Sequence, residues 1–369
     1  MRHRVVSNQS VGYGSHQFIF VLGSRGNHFG YGGFETLARV LDEKITDEVV
    51  QVCVLATVRT SKSNNHSRFW ETIVGTIKSS QYPFRYFSAA ILILNPINLP
   101  TLLFLRFFGF RAVLHMDGRD DLRRKWVLPI RVLYRFFQRL CVWSGIQLIF
   151  DSVTVRSEIG GRHAEKYAVI AYGGCEACEK SRMVWQARNI SRNFLTLARA
   201  EPENQLVEIV QAFGAMTTSA QLLVVTTTRY KGKYWQDLVD KVNTRSSVEL
   251  VDGIWDKERL CLMYREFSAV IHGHTVGGTN PSLVLALCHG TPVFAHDNPY
   301  NREVAGSLAR YWKNEEELTR LLDEFDPASW PYDQAAVDDF NRRYNWDDVV
   351  EKYRVVLGLS GPTETSTTN

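Results

Sequence analysis

The chain has 369 residues, of which 45% are hydrophobic and 22% are charged, and its formal net charge is +4. This composition excludes a disordered or low-complexity protein, and the length favours two domains over a single core. Residues 1–170 hold 22 Lys and Arg against 12 Asp and Glu, whereas the remainder holds 21 against 27. We therefore expect only the basic first half to approach an anionic partner.

Neither a secretory signal nor a membrane-spanning segment is predicted. The apolar run Phe18–Leu22 is only as long as a strand, and residues 89–110 are interrupted by Asn, Pro and Arg, which is incompatible with a spanning helix. The six cysteines are scattered along the chain. Together these features predict a cytoplasmic protein without disulfides.

Short apolar runs alternate with helical patterns along the whole chain. In the first half the predicted strands are Phe18–Leu22, Val50–Leu55, Ile91–Leu94, Ala112–His115, Ile146–Phe150 and Tyr167–Ala171. In the second half they are Phe194–Ala198, Leu222–Val225, Val248–Val251, Ala269–His272 and Pro292–Ala295. Continuous apolar strands separated by helices predict parallel sheets covered on both faces, and hence two doubly wound α/β domains.

The predicted domain boundary falls at Tyr172-Gly173-Gly174, where a strand ends in glycines. We predict one Rossmann-like domain over residues 1–172 and a second over residues 173–345. Apolar residues at helical spacing predict a final helix over residues 346–359. The polar tail, residues 360–369, is expected to be disordered.

The first predicted strand runs into a glycine-rich segment, Gly23 to Gly33, and a helix opens near Phe34. Glycines let the backbone approach a ligand closely, and the amides at a helix start favour phosphate. The spacing does not fit the dinucleotide fingerprint, and no acidic ribose-binding residue follows the second strand, so no NAD site is predicted. A tight turn without a ligand is the alternative interpretation.

Two polar residues follow the buried strand that ends at His115. Asp117 is a candidate to receive a proton or to orient a sugar, and His115 can do similar work near neutral pH. An ordinary capping or hydrogen-bonding role is the alternative for both.

Basic residues are concentrated between Arg123 and Arg139. Arg131, Arg135 and Arg139 recur every four residues in the predicted helix Ile130–Trp143, beside aromatic residues. Such a stripe can rest on anionic lipid headgroups, each cation contributing on the order of 1 kcal/mol. A solvated face with snorkelling arginines is the alternative. No nucleic-acid module accompanies these residues, so no nucleic-acid partner is predicted.

Cys175 and Cys178 form a single CxxC motif. It has no second pair at zinc-finger spacing, and it lies at the domain junction rather than at the start of a thioredoxin-like helix. The sequence therefore predicts neither a metal site nor a redox site.

A more specific motif follows the predicted strand Ala269–His272. Two glycines, a hydroxyl and an amide precede a proline at the first helical turn, which predicts a helix start suited to a diphosphate. The loop follows a parallel strand, where open α/β sheets bind ligands. A purely structural turn is the alternative. The candidate residues are His274, Gly277, Gly278, Thr279, Asn280, Pro281, Ser282 and Leu283.

Four segments together resemble one enzyme family. They are GSRG…YGGFET from Gly23 to Thr36, ARAEPEN at Ala198–Asn204, IHGHTVGGTNPS at Ile271–Ser282 and PVFAHDNPYNREV at Pro292–Val304. This combination resembles the rhamnosyltransferase-like branch of the retaining GT-B glycosyltransferases, over nearly the whole chain. The resemblance implies the GT-B architecture, in which an acceptor-side domain and a nucleotide-sugar-binding domain face each other across a cleft.

The resemblance also implies roles for individual residues. Arg199 matches the arginine that holds the donor diphosphate, a role that its fork-shaped donors suit; a surface ion pair with a nearby glutamate is the alternative. Trp255 matches a loop near the nucleotide base, where it either stacks on the base or packs. The other implied donor-binding positions are Gly32, Gly33, Glu203 and Asn204, and the implied catalytic residues are Asp117, His115 and Arg199.

Two positions depart from the family pattern. Many retaining GT-B enzymes carry two glutamates eight positions apart, where this chain has Gly277 and Leu285. The second glutamate holds the donor ribose, and such a charge-assisted bond contributes roughly 1.5–3 kcal/mol. Donor binding is therefore expected to be weaker or differently built. For the family's second cation, the candidates are Lys231 and Lys233.

The resemblance implies a hexosyltransferase that acts with retention, needs no cofactor besides the donor, and transfers a sugar, rhamnose for example, to a lipid-linked or polysaccharide acceptor at the inner face of the membrane. No metal is expected, because no pair of carboxylates of the DxD type stands at either glycine loop. Two alternatives remain. One is a non-catalytic membrane-associated scaffold, favoured by Leu285, and the other is a different sugar-nucleotide enzyme such as an epimerase.

Overall fold

The computed structural model describes residues 17–24, 32–47, 49–55, 65–86, 88–175, 192–227 and 232–359. In these residues the strands form two six-stranded sheets, and every strand pair is parallel. Helices connect the strands, as the alternating pattern predicted. We call the first sheet with its helices the first lobe, the second sheet with its helices the second lobe, and the space between them the crevice.

The first lobe is built on strands β1 to β6 in the order β2-β1-β3-β4-β5-β6. The strands are β1 (Gln17–Leu22), β2 (Val50–Leu55), β3 (Ala90–Leu94), β4 (Arg111–His115), β5 (Leu148–Phe150) and β6 (Ala168–Val169). The helices are α1 (Gly33–Ile45), α2 (Asn65–Ser79), α3 (Leu99–Phe107), α4 (Leu128–Trp143) and α5 (Val153–Gly160). Short 3-10 helices occupy Tyr82–Arg85, Pro96–Asn98, Asp120–Leu122 and Gly161–Lys166.

The second lobe has the strand order β12-β11-β10-β7-β8-β9. The strands are β7 (Asn193–Leu197), β8 (Gln221–Val225), β9 (Val248–Val251), β10 (Ala269–His272), β11 (Val293–His296) and β12 (Ala309–Trp312). The helices are α6 (Leu206–Gly214), α7 (Lys233–Asn243), α8 (Lys257–Glu266), α9 (Pro281–Cys288), α10 (Pro299–Ala305), α11 (Glu315–Asp323) and α12 (Gln334–Arg343), and a last helix, α13 (Trp346–Leu357), follows this lobe. Further 3-10 helices occupy Pro202–Asn204, Gly306–Leu308 and Pro327–Ser329.

The eleven predicted strands all form, but β12 was not predicted. Its sequence, Ala-Arg-Tyr-Trp, is an edge strand that pairs only with β11 in the described sheet, so it lacks the continuous apolar run of a strand buried on both faces. The predicted runs at β5 and β6 are longer than the strands that form.

The last helix returns to the first lobe. Trp346, Val349 and Tyr353 of α13 are buried in the same apolar cluster as Ile19 of β1 and Leu41 of α1. The chain thus passes between the lobes twice, once at residues 173–175 and once at residues 344–346. The first core is therefore completed by residues that are remote in sequence.

Each sheet has a point where the direction of winding reverses, between β1 and β3 and between β7 and β10. At such a point the loops after neighbouring strands diverge and leave a crevice for a ligand. The segments 198–204 and 273–280 follow β7 and β10, so they lie at this position in the second lobe.

Four parts of the sequence predictions fall on residues outside the described ranges. These are residues 25–31 of the first glycine-rich segment, Cys178, Lys231 and the tail 360–369. The predicted boundary at Tyr172-Gly173-Gly174 lies between β6 and β7.

Candidate active site

Arg199 lies directly after β7, at the reversal point of the second sheet. Its guanidinium is 3.4 Å from a carboxylate oxygen of Glu201, and its side chain remains 31% exposed. A cation that is both anchored and accessible is suited to bind an anionic ligand that enters the crevice.

The turn that follows Arg199 is tied to the glycine-containing loop after β10. The Asn204 side-chain nitrogen donates to the Arg199 carbonyl (2.9 Å). The oxygen of the same amide lies 2.7 Å from His274 Nδ1. The backbone N–H of Thr275 donates to the Glu203 carbonyl (2.8 Å). The two loops therefore form one unit, in which Arg199 and the 273–280 loop hold a fixed relation.

These bonds also determine the tautomer of His274. Because the Asn204 nitrogen donates to a carbonyl, the Asn204 oxygen must face His274 and Nδ1 must carry the proton. Burial, together with the charges of Arg123 and Arg199, lowers the pKa of His274 well below its usual value. The imidazole is thus neutral, with Nε2 as a hydrogen-bond acceptor.

Helix α9 begins in the same loop and has an internal cap. The Asn280 side-chain oxygen accepts from the backbone N–H of Ser282 (3.0 Å) and from its hydroxyl (2.8 Å). Pro281 has no N–H to donate and the Ser282 N–H is occupied by the cap, so neither of the first two helical residues offers an amide to a ligand.

The segment Pro292–Val304 supports this loop from behind. Asn298 and Asn301 each donate a side-chain amide hydrogen to the His274 carbonyl, at 2.9 Å in both cases. Asn298 also caps α10 by accepting from the backbone N–H of Asn301 (3.0 Å). Asn298 therefore combines helix capping with positioning of the loop, and Asn301 adds a second hydrogen bond to that loop.

The first lobe contributes two further cations. The Lys125 ammonium is 3.3 Å from both carboxylate oxygens of Glu201, and its side chain is only 5% exposed. Arg123 lies beside Asp120 (3.5 Å), also with its side chain largely buried. Burial lowers the pKa of Lys125 to about 8. The charge of Glu201 raises this pKa, and the positive charges of Arg199 and Arg123 lower it. Three cations thus surround one glutamate.

Two glutamates of the second lobe face these cations. Burial would raise the pKa of Glu201, but Arg199, Lys125 and Arg123 hold it well below its usual range. The pKa of Glu203 is raised, first by burial and then by the charge of Glu201. Within the described residues, neither carboxylate oxygen of Glu203 has a hydrogen-bond partner.

Glycines allow the two lobes to touch. A Cβ atom on Gly118 would lie 2.9 Å from the Gly277 Cα, and one on Gly278 would lie 1.9 Å from an oxygen of Asp151. Gly277 has φ +137°, a conformation that side chains rarely adopt. Any larger residue at these positions would therefore force the lobes apart.

Asp151 is the first residue after β5 and is 3% exposed. Its backbone carbonyl accepts from the Thr279 hydroxyl across the crevice (2.5 Å), and its Oδ1 has no hydrogen-bond partner among the described residues. Burial raises the pKa of Asp151 to about 8, with a further contribution from the charge of Asp117. The side chain is accordingly protonated at neutral pH and can donate a hydrogen bond.

Asp117 is in the left-handed region with φ +59°, a conformation that aspartate adopts more readily than most residue types. Its backbone N–H donates to His115 Nδ1 (3.2 Å). The His115 ring packs edge-on against Phe34 (5.2 Å), and burial lowers the pKa of His115 to about 3. His115 is therefore neutral near pH 7. Its Nδ1 accepts the Asp117 N–H and so holds the Asp117 backbone in place.

The lobes are also joined beside the crevice by Glu303 of α10. Its carboxylate accepts from the Ser152 hydroxyl (2.8 Å) and from the backbone N–H groups of Val153 (2.7 Å) and Thr154 (2.8 Å), at the start of α5. The Tyr300 hydroxyl donates to Glu158 on the same helix (2.9 Å).

The remaining predicted site residues lie around this centre. Gly32 precedes α1, and Gly33 packs against the Tyr172 ring, which would lie 2.9 Å from an added Cβ.

Trp255 of the second lobe is about half exposed and packs on Gly253. Leu285 is partly buried and packs against an apolar cluster of the second lobe. Leu283 is fully buried in that cluster.

Of the two lysines proposed for the second cation, the structure describes only Lys233. Lys233 is exposed at the first position of α7, and Lys231 lies outside the described ranges. Lys125 lies beside Arg199 instead. The sequence could not show this, because the contact joins residues of different lobes.

The predicted lipid-facing stripe needs one correction. Arg123 does not belong to it, because its side chain is buried at the crevice beside Asp120. Arg131 donates from Nε to the Asp121 carbonyl (2.9 Å), and Arg135 lies 3.3 Å from the Asp121 carboxylate while half exposed. Among the described helices, none combines the length and apolarity that crossing a membrane requires.

The sequence analysis missed Arg123, Lys125, Asp151 and Glu303 as site residues. For Asp151 a signal existed, since it is a polar residue at the carboxyl end of a buried parallel strand. The other three act across the crevice, and sequence spacing gives no information on which residues of two lobes will meet.

No protein-family model and no curated protein matches this chain. Solved structures do match over almost its full length. Sucrose-phosphate synthase from Thermosynechococcus elongatus aligns with a TM-score of 0.73 at 14% identity, covering 94% of this chain and 100% of that one. The UDP-forming α,α-trehalose-phosphate synthase from Burkholderia vietnamiensis aligns at 0.65 and 11%, covering 93% and 98%.

A third match is HepE of Anabaena, solved in complex with UDP-glucose. It aligns with a TM-score of 0.63 at 13% identity, covering 93% of this chain and 99% of that one. Together with the two parallel six-stranded sheets, these likenesses confirm the predicted α/β fold of GT-B architecture.

Proposed function

We propose that this protein is a glycosyltransferase that binds a nucleoside-diphosphate sugar in the crevice. The observation that carries the proposal is the convergence of Arg199, Lys125 and Arg123 around Glu201, next to the 273–280 loop. A diphosphate bears several negative charges, and this cluster offers three cations with backbone amides beside them.

The same cluster would act in the transfer step. When the bond between the sugar and the diphosphate breaks, negative charge develops on the leaving diphosphate, and cations already held in place stabilise it without reorganisation. Glu201 holds the cations together before the donor arrives. Because this charge compensation comes from side chains, we propose transfer without a metal, as the sequence motifs imply.

Two carboxyl groups of the first lobe are proposed to contact the sugars. The Asp151 side chain is protonated near pH 7 and faces Gly278, so it can donate a hydrogen bond to a sugar hydroxyl or a phosphate oxygen. Asp117, held by His115, is proposed to orient the acceptor hydroxyl or receive its proton. His274 Nε2 is left to accept from a hydroxyl of the donor.

Retention of configuration, rhamnose as the sugar and hexosyltransferase class are proposed from the motif resemblance at Ile271–Ser282. In that reaction the acceptor attacks from the face of the leaving diphosphate, while contact between the lobes keeps water out of the crevice. The close approach of Gly118 to Gly277 supports such an enclosed site.

The acceptor is proposed to be lipid-linked, as in the assembly of a surface polysaccharide, and presented by a cytoplasmic membrane face. Apolar side chains exposed on α3, on the residue after it and on α4 support this proposal. They are Leu103, Phe104, Phe107, Phe108, Leu128, Val132, Phe136 and Trp143, of which Phe107 and Trp143 are more than 80% exposed. Arg135 and Arg139 are exposed on the same helix α4. Aromatic residues beside arginines are suited to an anionic interface.

The test is nucleotide binding by calorimetry, with UDP, GDP and dTDP and without an acceptor. Wild-type protein should bind one of them, and Arg199→Ala should weaken that affinity by roughly 10-fold or more, because a charge-assisted bond contributes roughly 1.5–3 kcal/mol. Arg302→Ala is the matched control, since Arg302 pairs with Asp297 on the exposed surface. If both variants bind the nucleotide with the same affinity, Arg199 does not hold the donor diphosphate.

A second candidate function is a non-catalytic scaffold, which the apolar residue Leu285 at the ribose position favours. The same titration separates the two functions, because a scaffold without a donor site should bind none of the three nucleotides. Incubation of the corresponding nucleotide sugar without acceptor tests the epimerase alternative, which predicts a changed sugar and no transfer.

A further inference from the structure

A second group of reactive side chains lies in the second lobe, outside the crevice. Cys175 Sγ, Cys261 Sγ and a ring nitrogen of His289 all lie within 4.8 Å of one another. The three residues come from separate segments: the crossover after β6, helix α8 and the residue after α9. The sequence pattern assigned no metal to Cys175, because Cys261 and His289 are remote from it along the chain.

We propose that these three residues bind one zinc ion. Thiolate and imidazole are the ligands that zinc prefers in proteins, and two thiolates balance the charge of the ion. Cys261 and His289 are buried, whereas Cys175 is partly exposed. Three protein ligands leave a fourth tetrahedral position, and the partly exposed side at Cys175 lets water fill it.

The surroundings hold the imidazole toward the two sulfurs. The Tyr264 ring stacks on His289 at 5.8 Å with an interplanar angle of 17°. Arg265 Nε donates to His289 Nδ1 over 3.4 Å, a long hydrogen bond. Coordination through Nδ1 would replace this bond, whereas coordination through Nε2 would leave it in place.

A disulfide is the competing interpretation of the two sulfurs, which are 2.8 Å apart. A disulfide involves no third residue, whereas here an imidazole from a different helix converges on the same point. The buried imidazole is the feature that favours a metal over a covalent bond between the cysteines.

The position of the site indicates what the ion would stabilise. Cys175 directly follows Gly174, whose backbone N–H donates to the Tyr344 carbonyl (2.6 Å) and whose carbonyl accepts from Trp346 Nε1 (2.8 Å). His289 directly follows α9, the helix that begins at the candidate donor loop. The ion would thus connect the passage between the lobes to the helix that carries this loop.

The experiment measures metal content by mass spectrometry in full-length protein expressed with added zinc. We expect one zinc ion per chain in the wild type and in the control Cys53→Ser, a half-buried cysteine on β2. We expect zinc to be lost in Cys261→Ser and in His289→Gln. Wild type without zinc, or variants that keep a full equivalent, would overturn the proposal.

A second measurement needs no variant, so it holds even if the substitutions impair folding. The wild type is stripped with a chelator and titrated with cobalt(II), and the expected result is sulfur-to-metal charge-transfer absorption that saturates at one equivalent. Absence of this absorption, or a Cys175–Cys261 disulfide found by alkylation and peptide mapping, would refute the site. Neither outcome bears on nucleotide binding at the crevice.

Discussion

The protonation state of Asp151 is set by its position between the lobes. The side chain is enclosed by Gly278 and lies near the negative charge of Asp117, so ionisation would place a second carboxylate charge in a region with little water. Functional sites often contain groups whose pKa is shifted in this way. Here the shift makes a carboxyl group into a hydrogen-bond donor at neutral pH.

This arrangement makes stability depend on pH. In the unfolded chain the Asp151 carboxyl ionises above its ordinary pKa of 3.8, whereas in the folded chain it ionises only near 8. The protonated Asp151 side chain therefore contributes its full stabilisation below pH 3.8, and this contribution is lost as the pH rises toward about 8. We expect Asp151→Asn, which cannot ionise, to become progressively more stable than wild type between pH 5 and pH 8, as measured by urea unfolding.

The control for this prediction is Asp297→Asn. The hydrogen bond from Arg302 lowers the pKa of Asp297. The contribution of Asp297 to the free energy of unfolding therefore no longer changes with pH above the ordinary pKa of an aspartate. The difference between this variant and wild type should stay flat from pH 5 to pH 8. A flat difference for Asp151→Asn as well would contradict the protonated state.

Individual helices depend on groups from the opposite lobe. The N-terminus of α5 has its own cap, Ser152, whose hydroxyl accepts from the Val155 N–H (3.2 Å), and a second one in Glu303. The Glu303 carboxylate meets the first N–H groups of the helix, where a negative charge is most favourable. One side chain thus stabilises a helix and joins two lobes.

We expect Glu303→Ala to lower the free energy of unfolding by about 0.5–2 kcal/mol, the usual effect of losing a helix cap. Chemical unfolding followed by circular dichroism measures this change. Glu316→Ala serves as the control, because Glu316 is exposed in the first turn of α11 within its own lobe. Equal effects of the two substitutions would argue against the cap across the crevice.

The outer face of α3 and α4 is the other element with an expected function. Phe107→Ser combined with Trp143→Ser removes two of its most exposed apolar side chains. We expect this double variant to sediment less with vesicles that contain anionic lipid, while nucleotide binding is unchanged. The control is Trp255→Ser, which alters an exposed tryptophan of the second lobe. If both variants sediment with the vesicles to a similar extent, the face of α3 and α4 does not bind the membrane.

Strands and loops differed in how well the sequence predicted them. The strand Ala269–His272 was predicted to the residue, because a strand in the interior of a sheet is buried on both faces and must be largely apolar. The Asn280-Pro281-Ser282 start of α9 was predicted because capping is local. The position of Lys125 beside Glu201 could not be predicted, because it depends on how two separately folded sheets meet.

At the scale of the whole molecule, the two passages between the lobes lie side by side. Trp346, at the start of α13, is buried in the first lobe and donates its indole N–H to the Gly174 carbonyl (2.8 Å). An added Cβ on Gly173 would lie 2.4 Å from the same indole ring. This tryptophan therefore joins both passages and the core of the first lobe.

We expect Trp346→Ala to destabilise the protein by about 3–5 kcal/mol, the usual range for a buried tryptophan. Thermal unfolding measures the loss. Trp143→Ala is the matched control, because that side chain is 84% exposed and its removal should change stability little. A small effect at residue 346 would show that α13 contributes little to the first core.

The return of α13 also has a consequence for synthesis on the ribosome. The apolar surface that α13 covers on β1 and α1 is made early, whereas Trp346 is added only after the entire second lobe has been translated. At roughly 5–20 residues per second, the nascent first lobe waits on the order of 10 s with this surface uncovered. During that interval a chaperone that binds apolar segments would find its target there.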